Sequence, residues 1–517
     1  MKLYLKKNYH FFILVLIIFL GLLMRSQTFL TGDFYFLIDQ GRDMLLAQQV
    51  VIDHKLMLIG ARAGFGGLFH GPLWIYLITP FFILSDGNPF LTLIPLYTLL
   101  TVGLIVVGYW VGSRLYGRTT GLILAFFLAT SQSLISDAQF TTNAHLMPVI
   151  FLAYVGSALL YLRGIKRASL AMFFCAGLGF QSEPAFAIVL LPVSLIVIIL
   201  GSKKPSFIHF LSAAALYLLP LTTFIFFDLR HELLMTKSVL KLFSSHSEPL
   251  KGYEAYSDIF YRVQDRLLLL VSSFKMPLFT ESVLLTVLIG VILCWGFVLM
   301  VRNDQQLRRE YLFLLGFQIA IFVIYIFYPF PLWSHYLLAL VVTSSLLVAL
   351  SIKVVSKKKY GTVVAVLFSG FALLAPSTWL VHTYAGSQSL ALTSDGSYIN
   401  QREVVTWIYD DANGKPFGYF VYTSGTLTYN MDYLVRLESL NRGTLSPENK
   451  KDSLTYLILY PSSDKNSQNF WKKHVLHTAS VPIITKTFRG GITVQKLRIL
   501  KPEEPVDPNY SQNLLFR

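Results

Sequence analysis

Cysteine is almost missing from this chain of 517 residues: Cys175 and Cys294 are the two, and both lie inside apolar stretches. Two such thiols build neither a disulfide framework nor a zinc cluster. Charge is scarce too, at 14% of residues against 54% hydrophobic, which excludes an ordinary soluble domain. There is no internal repeat and no low-complexity tract. The glycine-rich stretch from Gly60 to Pro72 lacks the Gly-Lys-Ser/Thr step of a phosphate loop. The first apolar run, Phe11–Leu23, follows Lys6 and Lys7 as in a signal peptide, but Met24-Arg25-Ser26-Gln27 behind it is no small-residue cleavage site. It reads as an uncleaved first span.

What the chain has in quantity is apolar sequence. Runs near 20 residues recur through its first three quarters, each long enough to cross a hydrocarbon core. Spans are expected near Phe11–Phe29, Phe90–Gly112, Gly121–Ser136 and His145–Leu162. Others follow near Leu170–Gln181, Ala185–Leu200, Phe207–Phe227 and Ser282–Val301. Tyr311–Tyr328, His335–Ile352 and Thr362–His382 bring the number of crossings to about 11. The aromatic share of 15% suits Tyr and Trp belts at membrane interfaces.

The net charge of +15 resolves into six short clusters between these spans. They are Lys2, Lys6 and Lys7; Arg114 and Arg118; Arg163, Lys166 and Arg167; Lys203 and Lys204; Arg302, Arg308 and Arg309; and Lys353 with Lys357, Lys358 and Lys359. They hold 17 basic residues, and two acids, Asp304 and Glu310, lie in the same segments, which leaves 26 of each sign elsewhere. That is the pattern of cytoplasmic loops, not of a nucleic-acid-binding surface, so no nucleic-acid partner is expected. With the N-terminus inside, every cluster falls inside. The run Leu73–Leu84 would invert the loops after it if it crossed. Its 12 residues would make a helix of only about 18 Å against a core of about 30 Å. A re-entrant or interfacial helix is expected there.

The expected architecture is mainly α: a multi-pass helical bundle in the cytoplasmic (plasma) membrane over residues 1–384, with outer loops at 31–88 and 228–281. A small extracytoplasmic α/β domain follows over residues 385–517. Within it, Val404, Val405 and Ile408 have helical spacing, stopped by Asn413-Gly414. β-rich runs follow at Phe417–Tyr422, Leu454–Tyr460 and Ile483–Phe488, with a hairpin through Gly490-Gly491 into Ile492–Leu500.

The chemistry-bearing residues gather at the outer side. In Asp39-Gln40-Gly41-Arg42-Asp43, a helix would set the two carboxylates on one face, where they repel and need a compensating partner. Crowded carboxylates are where pKa values rise toward those of a general base. Arg42 is close enough to hold a carboxylate or to contact a phosphate; the plain alternative is a solvated amphipathic helix on the membrane. In Gly60-Ala-Arg62-Ala-Gly64-Phe-Gly66-Gly67, glycines allow close backbone approach and Arg62 can pair with phosphate, although a flexible interfacial loop has the same composition. His70 suits a metal, proton transfer or an interface. Glu183, Asn143 and the His335-Tyr336 pair sit at outer ends of spans, where ionisable groups are costly. In Asp228-Leu229-Arg230-His231, Arg230 and His231 can meet an anionic head group. Each residue alone fits an interfacial anchor; together, at one level of one leaflet, they point to a substrate at the outer interface.

In this order and spacing the chain resembles the GT-C superfamily of membrane glycosyltransferases, close to the protein O-mannosyltransferase and aminoarabinose transferase group. Asp39-Gln40 stands where that family usually has Asp-Glu, and Phe69-His70-Gly71-Pro72 where it has Phe-Glu-Lys-Pro or Lys-Pro-Pro. Phe227-Asp228-Leu229-Arg230-His231 and His335-Tyr336-Leu337 look like its later outer-loop motifs. The resemblance implies inverting transfer of a sugar from a polyprenyl-phosphate donor to a hydroxyl of a protein, lipid or glycan acceptor outside the cytoplasm. It makes Asp39 the base and Asp43 its orienter or a second acid. Arg42, Arg62, Arg230 and His231 fall on the phosphate side, and His70, Asn143, Glu183, Asp228, His335 and Tyr336 are further substrate-site candidates. Gln40 and His70 replace carboxylates of the family motifs, so no cofactor is expected and a divalent cation is not expected to be essential. The alternative is a transporter or flippase of lipid-linked or small solutes. Such proteins show repeats and ionisable groups near the midplane, whereas the acids here gather at the outer ends.

Overall fold

The computed structural model describes residues 2–63, 67–136, 140–201, 203–244, 253–278, 283–423, 427–500 and 503–507. The chain is mainly helical with one four-stranded sheet near its C-terminal end. Among the described residues, four helices are long and apolar enough to cross a membrane: Pro89–Tyr116, Asn143–Leu162, Phe207–Arg230 and Val283–Arg302. Other expected spans form shorter apolar helices, among them Tyr9–Leu23, Arg118–Thr130, Ala168–Gly179, Pro184–Leu200 and Leu340–Val355. Several are short because the chain breaks between them, at the end opposite the basic clusters. Ala168–Gly179 gives way to the turn Phe180–Ser182, and Pro184 restarts the next helix. Helix length therefore does not by itself set the number of crossings at 11.

Local chemistry explains the ends. Asn88 caps Pro89–Tyr116 by accepting the Leu91 N–H at 3.2 Å, and Pro89 occupies the first helical position, where no N–H is needed. At the end rich in basic clusters, Arg163 grips Glu310 with two parallel bonds of 2.7 and 2.9 Å and donates to the Leu115 carbonyl at 2.6 Å. The pair is partly buried and joins three helices, which fixes their register. The short run Leu73–Leu84 is a helix with the bounds expected, buried through Trp74, Ile75, Ile78 and Phe82.

Two regions hold helix that the sequence reading did not place. The second outer loop is largely helical, with Leu234–Ser244 and Ile259–Ser273 inside it. The helix Gly361–Thr393 runs unbroken through the expected domain boundary at 384/385. Beyond it, Tyr398–Ala412 ends at Asn413 in the left-handed conformation (φ 47°), as its Asn-Gly stop signal predicts. The strands β1 (Gly418–Tyr422), β2 (Leu454–Leu459), β3 (Ile484–Thr487) and β4 (Thr493–Arg498) match the expected runs. Their order is β1-β2-β4-β3, with β1 and β2 parallel and the other pairs antiparallel. The parallel pair needs a crossover, supplied by Tyr429–Arg442, a helix not expected from the sequence.

This tail shares its core with the first outer loop. Phe34 and Phe36 pack on Tyr398 at 5.5 and 5.9 Å, and Phe36 also meets Tyr433 at 6.1 Å. Asp33 accepts from the Ser397 hydroxyl at 2.7 Å, and Gln401 donates to the Phe36 carbonyl at 2.9 Å.

Candidate functional site

The helix Ile38–Val51 carries Asp39, Arg42 and Asp43. Its start is fixed by Gln40, whose side-chain oxygen accepts the Leu37 N–H at 3.0 Å while its amide donates to the Thr141 carbonyl at 3.3 Å. Gln40 is buried and committed to the helix end. Gly41 lies against the tail helix: an added Cβ would overlap the Asn430 backbone nitrogen.

Arg42 is the compensating partner the two carboxylates require. It holds Asp39 at 2.6 Å and Asp43 at 2.9 Å. The two acids differ sharply in exposure: the Asp39 side chain is 58% exposed and that of Asp43 1%. The other Asp43 oxygen accepts the Trp74 indole N–H at 2.8 Å. Burial pushes the Asp43 carboxyl up, and Arg42 pulls it back. Burial alone would lower Arg42, but Asp43 and then Asp39 outweigh it and raise it, so the guanidinium stays charged.

Asp39 and Arg42 face a cavity of about 1550 Å³. Its lining also takes in Arg62, His70, Asn143 and Glu183, with His335 and Tyr336 from a fourth segment. Apolar side chains complete the lining, among them Phe180, Ile188, Phe224, Ile225, Val323 and Phe327. His70, Asn143 and the Ser182–Glu183 turn meet here from three distant parts of the chain. Asn143 donates to the Ser182 carbonyl at 2.6 Å, and its amide nitrogen lies 3.1 Å from His70 Nδ1, which is itself 3.2 Å from that carbonyl. Burial brings His70 down to about 4, so the ring is neutral. Gly64, Phe65 and Gly66 of the glycine-rich segment lie outside the described residues.

Not every candidate joins this cavity. Asp228 lines it, but its carboxylate accepts the Met235 N–H at 2.7 Å, the Thr236 N–H at 3.2 Å and the Thr236 hydroxyl at 2.5 Å. It caps the next helix. The tight reversal this requires puts Glu232 and Leu233 at φ 55° and 61°. Arg230 and His231 are left exposed and off the cavity lining, with the His231 ring stacked on Phe227 at 4.1 Å. A cation the sequence reading passed over takes their place. Arg262, on Ile259–Ser273, lines the cavity, and its Nε is buried with no hydrogen-bond partner among the described residues. Its Nη1 donates to the Tyr256 carbonyl at 3.0 Å. Four residues on, Arg266 is structural: it pairs with Asp265 and donates to the Phe330 carbonyl at 2.6 Å, holding the turn that carries Tyr328. Among the described residues no three His, Cys, Asp or Glu side chains are grouped to hold a metal.

No protein-family model matches the chain, and neither does any curated protein sequence. Solved structures do. ArnT from Cupriavidus metallidurans aligns over 93% of this chain and 97% of its own, with a TM-score of 0.58 and 11% identity. The same protein bound to undecaprenyl phosphate aligns over 96% and 98%, at 0.57 and 11%. The oligosaccharyltransferase AglB from Archaeoglobus fulgidus, in complex with an inhibitory peptide and a dolichol-phosphate, aligns over 83% of this chain and 64% of its own at 0.51 and 12% identity. The arabinofuranosyltransferase AftD from Mycobacteria aligns over 96% of this chain and 40% of its own, at 0.50 and 11%. The fold expected from the sequence, that of the GT-C glycosyltransferases, is the fold this chain has.

Proposed function

We propose that this protein is an inverting glycosyltransferase that moves a sugar from a polyprenyl-phosphate donor to an acceptor hydroxyl at the outer face of the membrane. The observation that carries this reading is the cavity, lined both by charged and polar groups and by many apolar side chains. The apolar lining suits a lipid chain, and Asp39 shares the cavity with Arg42, Arg62 and Arg262. A structural neighbour holds undecaprenyl phosphate and another a dolichol-phosphate, the same ligand chemistry.

In this reading the acceptor oxygen attacks the anomeric carbon as the bond from that carbon to the phosphate oxygen breaks. Asp39 takes the acceptor proton. The polyprenyl phosphate leaves with Arg62 and Arg262 beside it, the latter bringing an Nε–H that has no hydrogen-bond partner among the described residues. Arg42 spends its bonds on Asp39 and Asp43, so its part is to orient the base. Arg230 and His231 stand away from the cavity and take no part. A divalent cation is not required in this scheme.

The orientation belongs to the same proposal: N-terminus inside, about 11 crossings, and the tail outside, where its core meets the first outer loop. The test is transfer of radiolabelled sugar from undecaprenyl-phosphate sugars to envelope extracts by the protein in nanodiscs. Absence of transfer together with solute uptake into proteoliposomes would replace this reading with the transporter.

A further inference from the structure

One carboxyl in the cavity is left unused by this mechanism. Glu183 is buried at 2% exposure, lines the cavity, and forms no ion pair with any described residue. Its side chain accepts the Ala185 N–H. Nearby, the Tyr325 hydroxyl donates to the Ala185 carbonyl at 2.8 Å, which locks the Glu183 turn to the helix Gln305–Tyr325. Tyr328 and Tyr336 hydrogen-bond each other and lie within electrostatic reach of Glu183, and Tyr336 also feels Asp39. A band of hydroxyl and carboxyl groups therefore runs along the wall from Glu183 through Tyr328 and Tyr336 toward the base.

We infer that Glu183, Tyr328 and Tyr336 form the sugar-recognition subsite, where the Glu183 carboxyl hydrogen-bonds the hydroxyl groups of an uncharged donor sugar. The inference rests on the glycosyltransferase reading and adds to it which part of the donor this wall reads. An unpaired anion here would oppose entry of a phosphate-bearing lipid, and a second carboxylate on the sugar would raise the same cost. A protonated carboxyl avoids both, because it offers one donor and retains acceptor capacity. Burial pushes Glu183 up to about 8, which keeps it protonated at neutral pH. The groups facing it are the phenols of Tyr325, Tyr328 and Tyr336, whose ordinary ionisation near pH ~10 lies above this window.

The sign follows. Glu183 is neutral below about 8 and ionised above it, so affinity for the sugar-bearing lipid holds at neutral pH and falls as pH rises through that value. The test measures binding to the protein in nanodiscs of undecaprenyl phosphate and of undecaprenyl-phosphate glucose, mannose and arabinose, taking the tightest of the three. Glu183→Leu is expected to weaken the sugar-bearing lipid about tenfold and to leave undecaprenyl phosphate as in the wild type. Glu183→Gln still donates and accepts, so it recovers most of that loss and abolishes the alkaline fall. Equal weakening of both lipids by Glu183→Leu, or an alkaline fall that survives in Glu183→Gln, overturns the inference alone. Should the leucine variant not fold, the glutamine pH profile decides. A wild-type protein that binds none of these lipids overturns the glycosyltransferase reading, and this inference with it.

Discussion

Asp39 and Asp43 lie one helical turn apart, yet their replacement by asparagine should disturb different properties. Asp39 is more than half exposed and held by a single contact to Arg42. Exposed pairs of this kind contribute at most about 1 kcal/mol, so Asp39→Asn leaves thermal unfolding close to wild type. It removes the proposed base, however, and a positioned base contributes roughly 10²–10⁴-fold, equivalent to about 3–5 kcal/mol of barrier. Asp43 is sealed from solvent, with one oxygen on Arg42 and the other on the Trp74 indole. Breaking a buried ion pair costs about 3–5 kcal/mol. Asp43→Asn approaches this only in part, since Asp39 still holds Arg42 and an amide oxygen can still accept from Trp74. The assay pairs initial rates of transfer in nanodiscs with melting temperature and donor affinity for both variants. Asp39→Asn should be slow, stable and competent to bind donor; Asp43→Asn should melt lower and lose less rate. If Asp43→Asn is dead at wild-type stability while Asp39→Asn turns over normally, the roles are reversed. Two fully active variants would remove this helix from the chemistry.

Arg262→Gln should weaken undecaprenyl phosphate binding by roughly tenfold or more, as loss of a charge-assisted hydrogen bond implies, whereas Arg230→Gln, exposed and off the cavity, should not; lipid titration by native mass spectrometry checks both. His70 is lowered from 6.5 to about 4 by burial, so its stability contribution is complete above the unfolded value and is lost as pH falls through this window. At about 1.4 kcal/mol per unit, the loss is at most about 3 kcal/mol, and His70→Asn should flatten that part of a stability-against-pH curve. Transfer should survive EDTA; abolition reversed by Mg²⁺ or Mn²⁺ would refute this, and rescue by Zn²⁺ alone would point to His70.

Hydropathy and turn chemistry made much of the framework readable. Pro72 and Ser85 bound the short helix Leu73–Leu84, and the tail strands follow their β-rich runs, because in both the signal lies within the segment itself. Spacing also put Asp39 and Asp43 on one face. What it could not show is which carboxylate is dry, since that depends on Trp74, brought in by another helix. The exposure of Arg230 and His231 has a similar origin: Asp228 recruits the N–H groups of Met235 and Thr236 and turns the chain back. Arg262 was hidden because its segment looked like loop, although Ile259–Ser273 is an amphipathic helix whose Asp258 cap accepts the Phe260 N–H at 2.9 Å. The helix Tyr429–Arg442 escaped for another reason. Met431, Leu434 and Val435 do keep helical spacing, but Asn430, Asp432 and Ser439 are buried as well, so polarity does not separate its dry face from its wet one.

That polar helix bears on the role of the tail. A domain merely tethered to the membrane would need no close contact with the Asp39 helix, yet Gly41 is the one residue small enough to admit the Asn430 backbone. Asn430 in turn donates to Gln401 at 2.8 Å and to the Tyr460 hydroxyl at 2.9 Å, tying the contact into the tail from two directions. Tyr433 donates to the Gly87 carbonyl, just before the helix Pro89–Tyr116, one of the four long and apolar enough to cross a membrane among the described residues. The Asp39 helix is thus wedged between the tail behind it and the cavity in front. A side chain at position 41 would push the two helices apart and carry Arg42 with them. The 2.6 Å bond that holds Asp39 has little slack for such a shift, because hydrogen bonds weaken steeply once distance and angle depart from their narrow range. The geometry of Asp39 is therefore set in part by residues of the tail that do not line the cavity.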